Sequence, residues 1–117
     1  MDNPIGLNLD FEFDGNELRA RFIPQEDHQG YPGTVHGGII SSLLYELMAN
    51  VPHHIGDKAV LRNSAVEFLR PTPVGVPLFV SAKVAGITER GFRLTANLLD
   101  ESGRLLASAT GEAVRPR

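Results

Sequence analysis

The run His28-Gln29-Gly30-Tyr31-Pro32-Gly33-Thr34-Val35-His36-Gly37-Gly38 is the densest cluster of chemically useful residues in the chain, and a strongly apolar segment follows it directly. Glycine lets a backbone approach a ligand closely, and a helix start leaves several N–H groups without intrahelical acceptors. If a helix begins near Gly37, the amides of Gly37 and Gly38 can hold the oxyanion that forms when a carbonyl is attacked, and the helix dipole adds to the effect. His36 stands beside them; His36 and His28 are suited to position a substrate or orient the loop. On local sequence alone, a glycine-rich turn with a helix cap is the simpler reading. Phosphate loops are excluded, because no Lys follows the glycines and neither GxxxxGK[ST] nor GxGxxG is formed.

Glu46 is the second candidate, the only ionisable carboxylate between Asp27 and Asp57. Helical spacing groups Ser42, Glu46 and Asn50 into one stripe, which either faces water or buries a carboxylate with a shifted pKa. A solvated stripe is the simpler reading. Tyr45, on the neighbouring face, is a core candidate whose hydroxyl needs a partner if buried. The adjacent pair His53-His54 points in two directions and has no HExxH spacing, so no metal site is expected. Arg62, Arg70, Lys83, Arg90 and Arg93 include candidates for a phosphate-binding pair, although solvated strand faces carry such cations routinely.

The elements that must position these residues follow from periodicity. Leu7, Leu9, Phe11 and Phe13 alternate with polar residues, and Asp14-Gly15-Asn16 turns the chain into Leu18, Ala20 and Phe22, a hairpin. Residues 24–35 read as a loop. From Gly37 to about Val51, the residues Ile39, Ile40, Leu43, Leu44, Leu47, Met48 and Val51 cover most of a helical wheel, which predicts a buried helix. After the turn at His54-Ile55-Gly56-Asp57, strands are expected over 59–69, 76–88, 92–99 and 105–114. Val76, Leu78, Val80, Ala82 and Val84 share one face, as do Phe92, Leu94, Ala96 and Leu98. A sheet apolar on one side needs a cover, and the apolar helix is the only candidate. The expected architecture is a single α+β domain over 1–117, one helix wrapped by a curved antiparallel sheet.

Composition narrows the class. The chain has 117 residues, enough for one core that buries roughly two thirds of the unfolded surface, and too few for two domains. With no cysteine, disulfide frameworks, thiolate zinc sites and cysteine nucleophiles are excluded. A net charge of −3 with scattered basic residues argues against nucleic acid as a partner. Met1 to Asp10 has neither a basic nor a strongly apolar stretch, and no segment approaches the ~18 apolar residues of a membrane span. No membrane association is expected, and the protein reads as cytoplasmic.

His28-Gln29-Gly30-Tyr31-Pro32-Gly33, Val35-His36-Gly37-Gly38-Ile39-Ile40 with Leu43-Leu44, Phe68-Leu69-Arg70-Pro71, and Asp100-Glu101-Ser102-Gly103-Arg104-Leu105-Leu106-Ala107 together resemble the hotdog-fold acyl-CoA thioesterases. Within these the chain is similar to the phenylacetate-degradation (PaaI-like) type, with its HGG motif before the central helix. The resemblance covers nearly the whole chain. It implies a hotdog fold, in which a curved antiparallel sheet of five to six strands wraps one long central helix. It also implies hydrolysis of an acyl-CoA thioester, with the Gly37 or Gly38 amide as oxyanion donor and His36 near the thioester. Coenzyme A enters only as part of the substrate, and no separate cofactor is implied. Family members pair as homodimers, often again into homotetramers, so that the site forms between subunits and the helix acid comes from the partner. Pairing also removes an exposed sheet edge.

The departures matter as much. The family's helix acid falls on Tyr45, and only the following Glu46 is acidic; one residue along a helix is a rotation of about 100°. The assisting hydroxyl of the next strand falls on Leu61. Asn63 and Ser64 are nearby, but alternate strand residues face opposite sides. The candidate catalytic residues are Glu46, Gly37, His36 and Tyr45, and the candidate substrate contacts are His28, Gly38, Asn63, Ser64 and Arg70. Three functions compete. One is a thioesterase using Glu46 as general base or nucleophile, with Tyr45 bonding substrate or water. A second is a hotdog protein that binds acyl-CoA without efficient turnover. The third, a dehydratase or hydratase of the same fold, lacks its histidine base, because Gly30 precedes Tyr31-Pro32-Gly33.

Overall fold

The computed structural model describes residues 11–117. The expected first strand therefore begins partly outside the described residues, at Leu7 and Leu9. Its remainder, β1 (Glu12–Phe13), pairs antiparallel with β2 (Glu17–Phe22). Gly15 turns the chain at φ 95°, and the Asp14 carboxylate accepts hydrogen bonds from the amides of Asn16 and Glu17 at 3.3 and 3.0 Å.

The remaining elements are α1 (Gly37–His54), β3 (Val60–Phe68), β4 (Leu78–Ile87), β5 (Gly91–Leu99) and β6 (Leu105–Val114). All six strands form one sheet in the order β1-β2-β4-β5-β6-β3, antiparallel throughout. Helix α1 packs against β2, β3, β4, β5 and β6. Its side chains Leu43, Leu44, Leu47 and Met48 meet Leu18, Val80, Leu94, Leu98 and Ala113 in a core where each is at most 2% exposed. A single apolar sheet face thus finds its cover in the single apolar helix.

Two helix expectations need correction. The helix runs three residues past Val51, through Pro52 to His54. A proline in the last turn forfeits only one backbone bond, and the amides of Ile55, Gly56 and Asp57 fold back onto the carbonyls of Val51, His53 and Pro52, with Gly56 at φ 76°. The second correction concerns orientation. The helix is buried on one side only: Gly38 and Tyr45 are exposed, Ser41, Ser42 and Glu46 half-buried, and Asn50 is buried with its amide donating to the Glu46 carbonyl at 2.7 Å. Tyr45 is 40% exposed and is not core. Ser42, Glu46 and Asn50 are not a uniformly solvated stripe, because the line facing out runs through Gly38, Ser41 and Tyr45.

Strand β3 forms one edge of the sheet, and most of its residues are exposed, with Val60 and Phe68 more than half so. A register shift between Leu61 and Asn63 interrupts its pairing with β6. No helix among the described residues is long and apolar enough to cross a membrane.

Candidate active site

The glycine-rich loop is held by its own hydrogen bonds. Gly30 N–H donates to the Thr34 carbonyl at 3.0 Å, Thr34 N–H to the Tyr31 carbonyl at 3.0 Å, and Gly33 N–H to the Gln29 side chain at 2.8 Å. His36 N–H donates to the His28 carbonyl at 2.8 Å, which brings the end of the loop back beside its beginning. A side chain at Gly30 would meet His36 Cα at 3.3 Å, so the close return needs a small residue there.

His36 is the N-cap of α1, and its backbone is extended (φ −61°, ψ 135°). Its Nδ1 accepts the Gly38 N–H at 2.8 Å, so a neutral ring carries its proton on Nε2. A Cβ at Gly38 would sit 3.1 Å from that Nδ1, which is why the ring can lie over the helix start only if residue 38 is small. The amides of Ile39 and Ile40 both donate to the His36 carbonyl. Among the described residues, the Gly37 N–H is the amide of this first turn left without an acceptor. The sequence left Gly37 and Gly38 equivalent as oxyanion donors; the His36 ring occupies Gly38, and Gly37 remains.

Gly37 opens onto an apolar cleft of 420 Å³ between the loop, the helix start and the segment that follows β3. Val35 and Ile40 line one wall, and residues 68–72 the other. The Phe68 ring lies across Gly37, with its Cζ 3.5 Å from where a Cβ would stand. Arg70 lines the same cleft and is exposed, so a guanidinium sits at its mouth. Tyr31 lines it too and is largely exposed. Thr72, which sequence reasoning missed, completes the wall; its backbone carbonyl accepts the Val35 N–H at 2.8 Å. The position directly after Arg70-Pro71 was the available signal.

A second cleft, of 290 Å³, lies further along the helix and gathers Ser41, Ser42, Tyr45 and Glu46 with Ser64 from β3. Ser64 is there because of the irregularity in β3. Ser64 pairs with Gly111 and Leu61 with Ala113, while Asn63 pairs with Glu112. Directly paired residues share a sheet face, so Ser64 and Leu61 face the helix and Asn63 faces away. Without the extra residue Asn63 would have shared the face of Leu61. Leu61 itself is core, 5% exposed, and a Cβ at Gly111 would meet its side chain at 2.9 Å. Asn63 lines a separate groove with Arg93 and Glu112 on the outer face.

His28 lines neither cleft: its Nδ1 accepts the Gln25 N–H at 2.9 Å and its ring packs on Phe22. His54 packs edge-on to Phe11 and tilted against Phe13, with Nδ1 2.9 Å from the Asn50 carbonyl. Among the described residues no group of three or more His, Asp or Glu stands close enough to hold a metal ion.

Residues 26–112 match the family described as the acyl-CoA thioesterase N-terminal domain. No curated protein matches the sequence. Solved structures share the fold. A thioesterase superfamily protein superposes with a TM-score of 0.80 at 24% identity over 84% of this chain; the match spans 48% of that protein, so this chain corresponds to about half its length. The E. coli PaaI protein from the phenylacetic acid degradation operon gives a TM-score of 0.83 at 20% identity, covering 92% of this chain and 82% of that one. A Streptococcus mutans protein bound to acetyl-CoA gives 0.81 at 19% identity, covering 94% and 93%. The one-helix, six-strand architecture is the hotdog fold of these proteins.

Proposed function

Because the chain belongs to the acyl-CoA thioesterase family, as a PaaI-like hotdog protein, we propose that it hydrolyses an acyl-CoA thioester to the free acid and coenzyme A. The observation that carries this reading is the Gly37 N–H, unaccepted at the start of α1 and opening onto an apolar cleft large enough for an acyl group. In the reaction, water attacks the thioester carbon while the Glu46 carboxylate takes its proton. The carbonyl oxygen becomes an oxyanion hydrogen-bonded by the Gly37 amide. The C–S bond then breaks, the oxyanion reverts to a carbonyl, and Glu46 returns the proton to the departing thiolate. The exposed Tyr45 hydroxyl hydrogen-bonds substrate or water beside Glu46. Arg70, at the cleft mouth, suits a phosphate of the coenzyme.

One chain cannot bring both groups to one carbonyl. Gly37 and Glu46 are nine residues apart on one helix, a rise of roughly 13 Å, whereas an attacking water must lie near the carbonyl that the amide holds. Glu46 therefore comes from a second copy, in a homodimer or a dimer of dimers. The exposed edge strand β3 carries Val60, Ser64 and Phe68 and supports such pairing. The S. mutans relative with bound acetyl-CoA supports the ligand class, and a chain without cysteine fits a reducing cytoplasm.

A second reading, acyl-CoA binding without turnover, is favoured by Tyr45 at the position of the family's acid and by the burial of Leu61. Release of free CoA from short, medium, long and aromatic acyl-CoAs separates the two. Turnover by the wild type, reduced about 100-fold or more in Glu46→Gln, is the expected result. Unchanged turnover in Glu46→Gln overturns the role of Glu46. Binding without any turnover by the wild type establishes the second reading.

A further inference from the structure

Strand β3 has a free edge: among the described residues, no strand pairs with it on the side away from β6. The neighbouring bonds fix which of its backbone groups face that edge. From Asn63 to Phe68 the pairing with β6 keeps one register, and directly after it Leu69 N–H donates to the Leu106 carbonyl at 2.9 Å. Antiparallel partners alternate between pairs that exchange hydrogen bonds and pairs that do not. Asn63, Ala65 and Glu67, in step with Leu69, therefore spend their N–H and C=O groups on β6. On the far side of β6, Arg115 N–H donates to the Arg90 carbonyl at 2.8 Å, which commits Gly111, Ala109 and Ala107 to β5 and leaves Glu112, Thr110 and Ser108 for β3, the same alternation. Ser64, Val66 and Phe68 thus turn their N–H and C=O groups to the free edge. Their side chains share the helix face with the buried Gly111, Ala109 and Ala107 that they oppose.

We propose that two copies of this chain pair antiparallel along this edge with the two-fold axis at Val66, so that Phe68 stands opposite the partner's Ser64 and the cleft at Gly37 adjoins the cleft of the partner's Glu46. The pairing is argued from strand geometry; its meaning for catalysis rests on the thioesterase reading. An axis at Val66 brings every free-edge group into a bonded pair, Val66 with itself and Ser64 with Phe68 on either side. An axis at Ala65 pairs Ser64 with Val66 alone, because Phe68 then falls opposite Arg62, the extra residue at the register shift. An axis at Glu67 pairs Val66 with Phe68 alone and sets two like carboxylates against each other. An axis between residues would place helix-facing side chains opposite outward-facing ones, which directly opposed antiparallel residues do not do.

The site calls for the same register. The Phe68 ring lies across Gly37, and Ser64 lines the cleft that holds Tyr45 and Glu46. Opposed residues of a bonded pair have Cα atoms about 5.5 Å apart, so Phe68 facing the partner's Ser64 sets the two clefts side by side. Moving the axis by one residue slides the partner two residues along, about 7 Å, and takes Ser64 away from Phe68.

The chain has no cysteine, so single introduced cysteines report the axis without background. In Val66→Cys the two thiols oppose each other within disulfide range, whereas in Ala65→Cys or Glu67→Cys they are offset by two residues, with Cα atoms about 8 Å apart. Mild oxidation of the full-length variants is expected to cross-link Val66→Cys at least about tenfold faster than the other two. Val66→Pro gives a second reading: it deletes an N–H that β6 does not use, so the edge strand keeps its own ladder and loses its partner. This variant is expected to keep the wild-type circular dichroism and to sediment at half the wild-type mass. The cysteine series decides the matter even where Val66→Pro fails to fold. The proposal is overturned by a monomeric wild type, by fastest cross-linking at residue 65 or 67, by no cross-link in any variant, or by a folded Val66→Pro of wild-type mass. CoA release from the acyl-CoA panel is scored separately. Absence of turnover with the Val66→Cys cross-link formed sinks hydrolysis and leaves the pairing standing, and turnover with cross-linking elsewhere does the reverse.

Discussion

At the start of α1, the amides of Gly30, Gly33, Thr34, Val35, His36 and Gly38 all find acceptors within the chain, whereas that of Gly37 has none among the described residues. Two and a half turns along the same helix, Tyr45, Glu46 and Ser64 line a cleft without a side-chain hydrogen bond between them among the described residues. The first region is closed mostly by partners between His28 and Gly38, with the Val35 N–H and Gly33 carbonyl reaching across to the segment after β3. The second is assembled from a helix and an edge strand that presents an unpaired side to solvent. On the proposed mechanism, then, the oxyanion donor is set by the single chain, and the acid has to be supplied by a second copy.

The largest effect is expected from removing the Gly37 amide alone. Proline is tolerated at the first position of a helix, and His36 at φ −61° and ψ 135° already has the conformation that a residue before proline adopts. Gly37→Pro should therefore fold normally while kcat/KM falls by about 100- to 1,000-fold. A variant that folds and retains full activity would show that the Gly37 amide is not the oxyanion donor.

A second experiment asks whether the two regions meet across subunits. Gly37→Pro and Glu46→Gln chains, each nearly inactive, are mixed under conditions that exchange subunits. If each site takes its amide from one chain and its carboxylate from the other, about a quarter of wild-type activity should return. No recovery from a demonstrated heterodimer would place both groups of a site on one chain.

The closed character of the first region can be tested through its cap. His36→Ala loses the acceptor of the Gly38 N–H and should cost about 1 kcal/mol in urea unfolding, whereas His36→Asn, a good capping residue, should recover most of it. Equal losses in both variants would mean that the ring matters through packing on Gly30 and Gly38 and not as a cap.

The smallest effect is expected from a pin that belongs to neither cleft. Just beyond the end of α1, Arg115 Nη2 stands 2.9 Å from the Asp57 carboxylate, and this hydrogen-bonded pair holds the Asp57 pKa below its ordinary value of 3.8. A carboxylate whose folded pKa is depressed adds stability above its unfolded value, and that contribution is lost as the pH falls through the folded one. Arg115→Ala should thus be slightly less stable than the wild type near neutral pH, and the gap should close in acid below 3.8, with CoA release unaffected. A gap that persists undiminished in acid would assign the effect to the stacking of Arg115 on Phe92.

Sequence reading went furthest where the structural rule is local. Alternation in residues 76–84 and 92–98 predicts two strands with one apolar face; the first starts at Leu78 rather than Val76, and Leu78, Val80, Ala82, Leu94, Ala96 and Leu98 are buried. The glycines and histidine before an apolar helical run announced a helix start at Gly37, and the helix begins there. Tyr45 and Asn50 depart from the helical-wheel expectation because the apolar arc of α1 is wide. A wide arc leaves the angle at which the helix meets the sheet undetermined, and that angle exposes Tyr45 and buries Asn50.

The order and type of the elements, one sheet with one covering helix, and the glycine-rich opening of that helix are all legible from residue order alone. These depend on periods of two and 3.6 residues and on glycine, which act within a few positions. Tertiary structure decided the rest. The extra residue in β3 turned Ser64 rather than Asn63 toward the helix, and the folding of residues 68–72 against the loop left the Thr72 hydroxyl buried and without a partner among the described residues. Each of these is settled by which segments come together across long stretches of chain, and no local pattern of residue types carries that information.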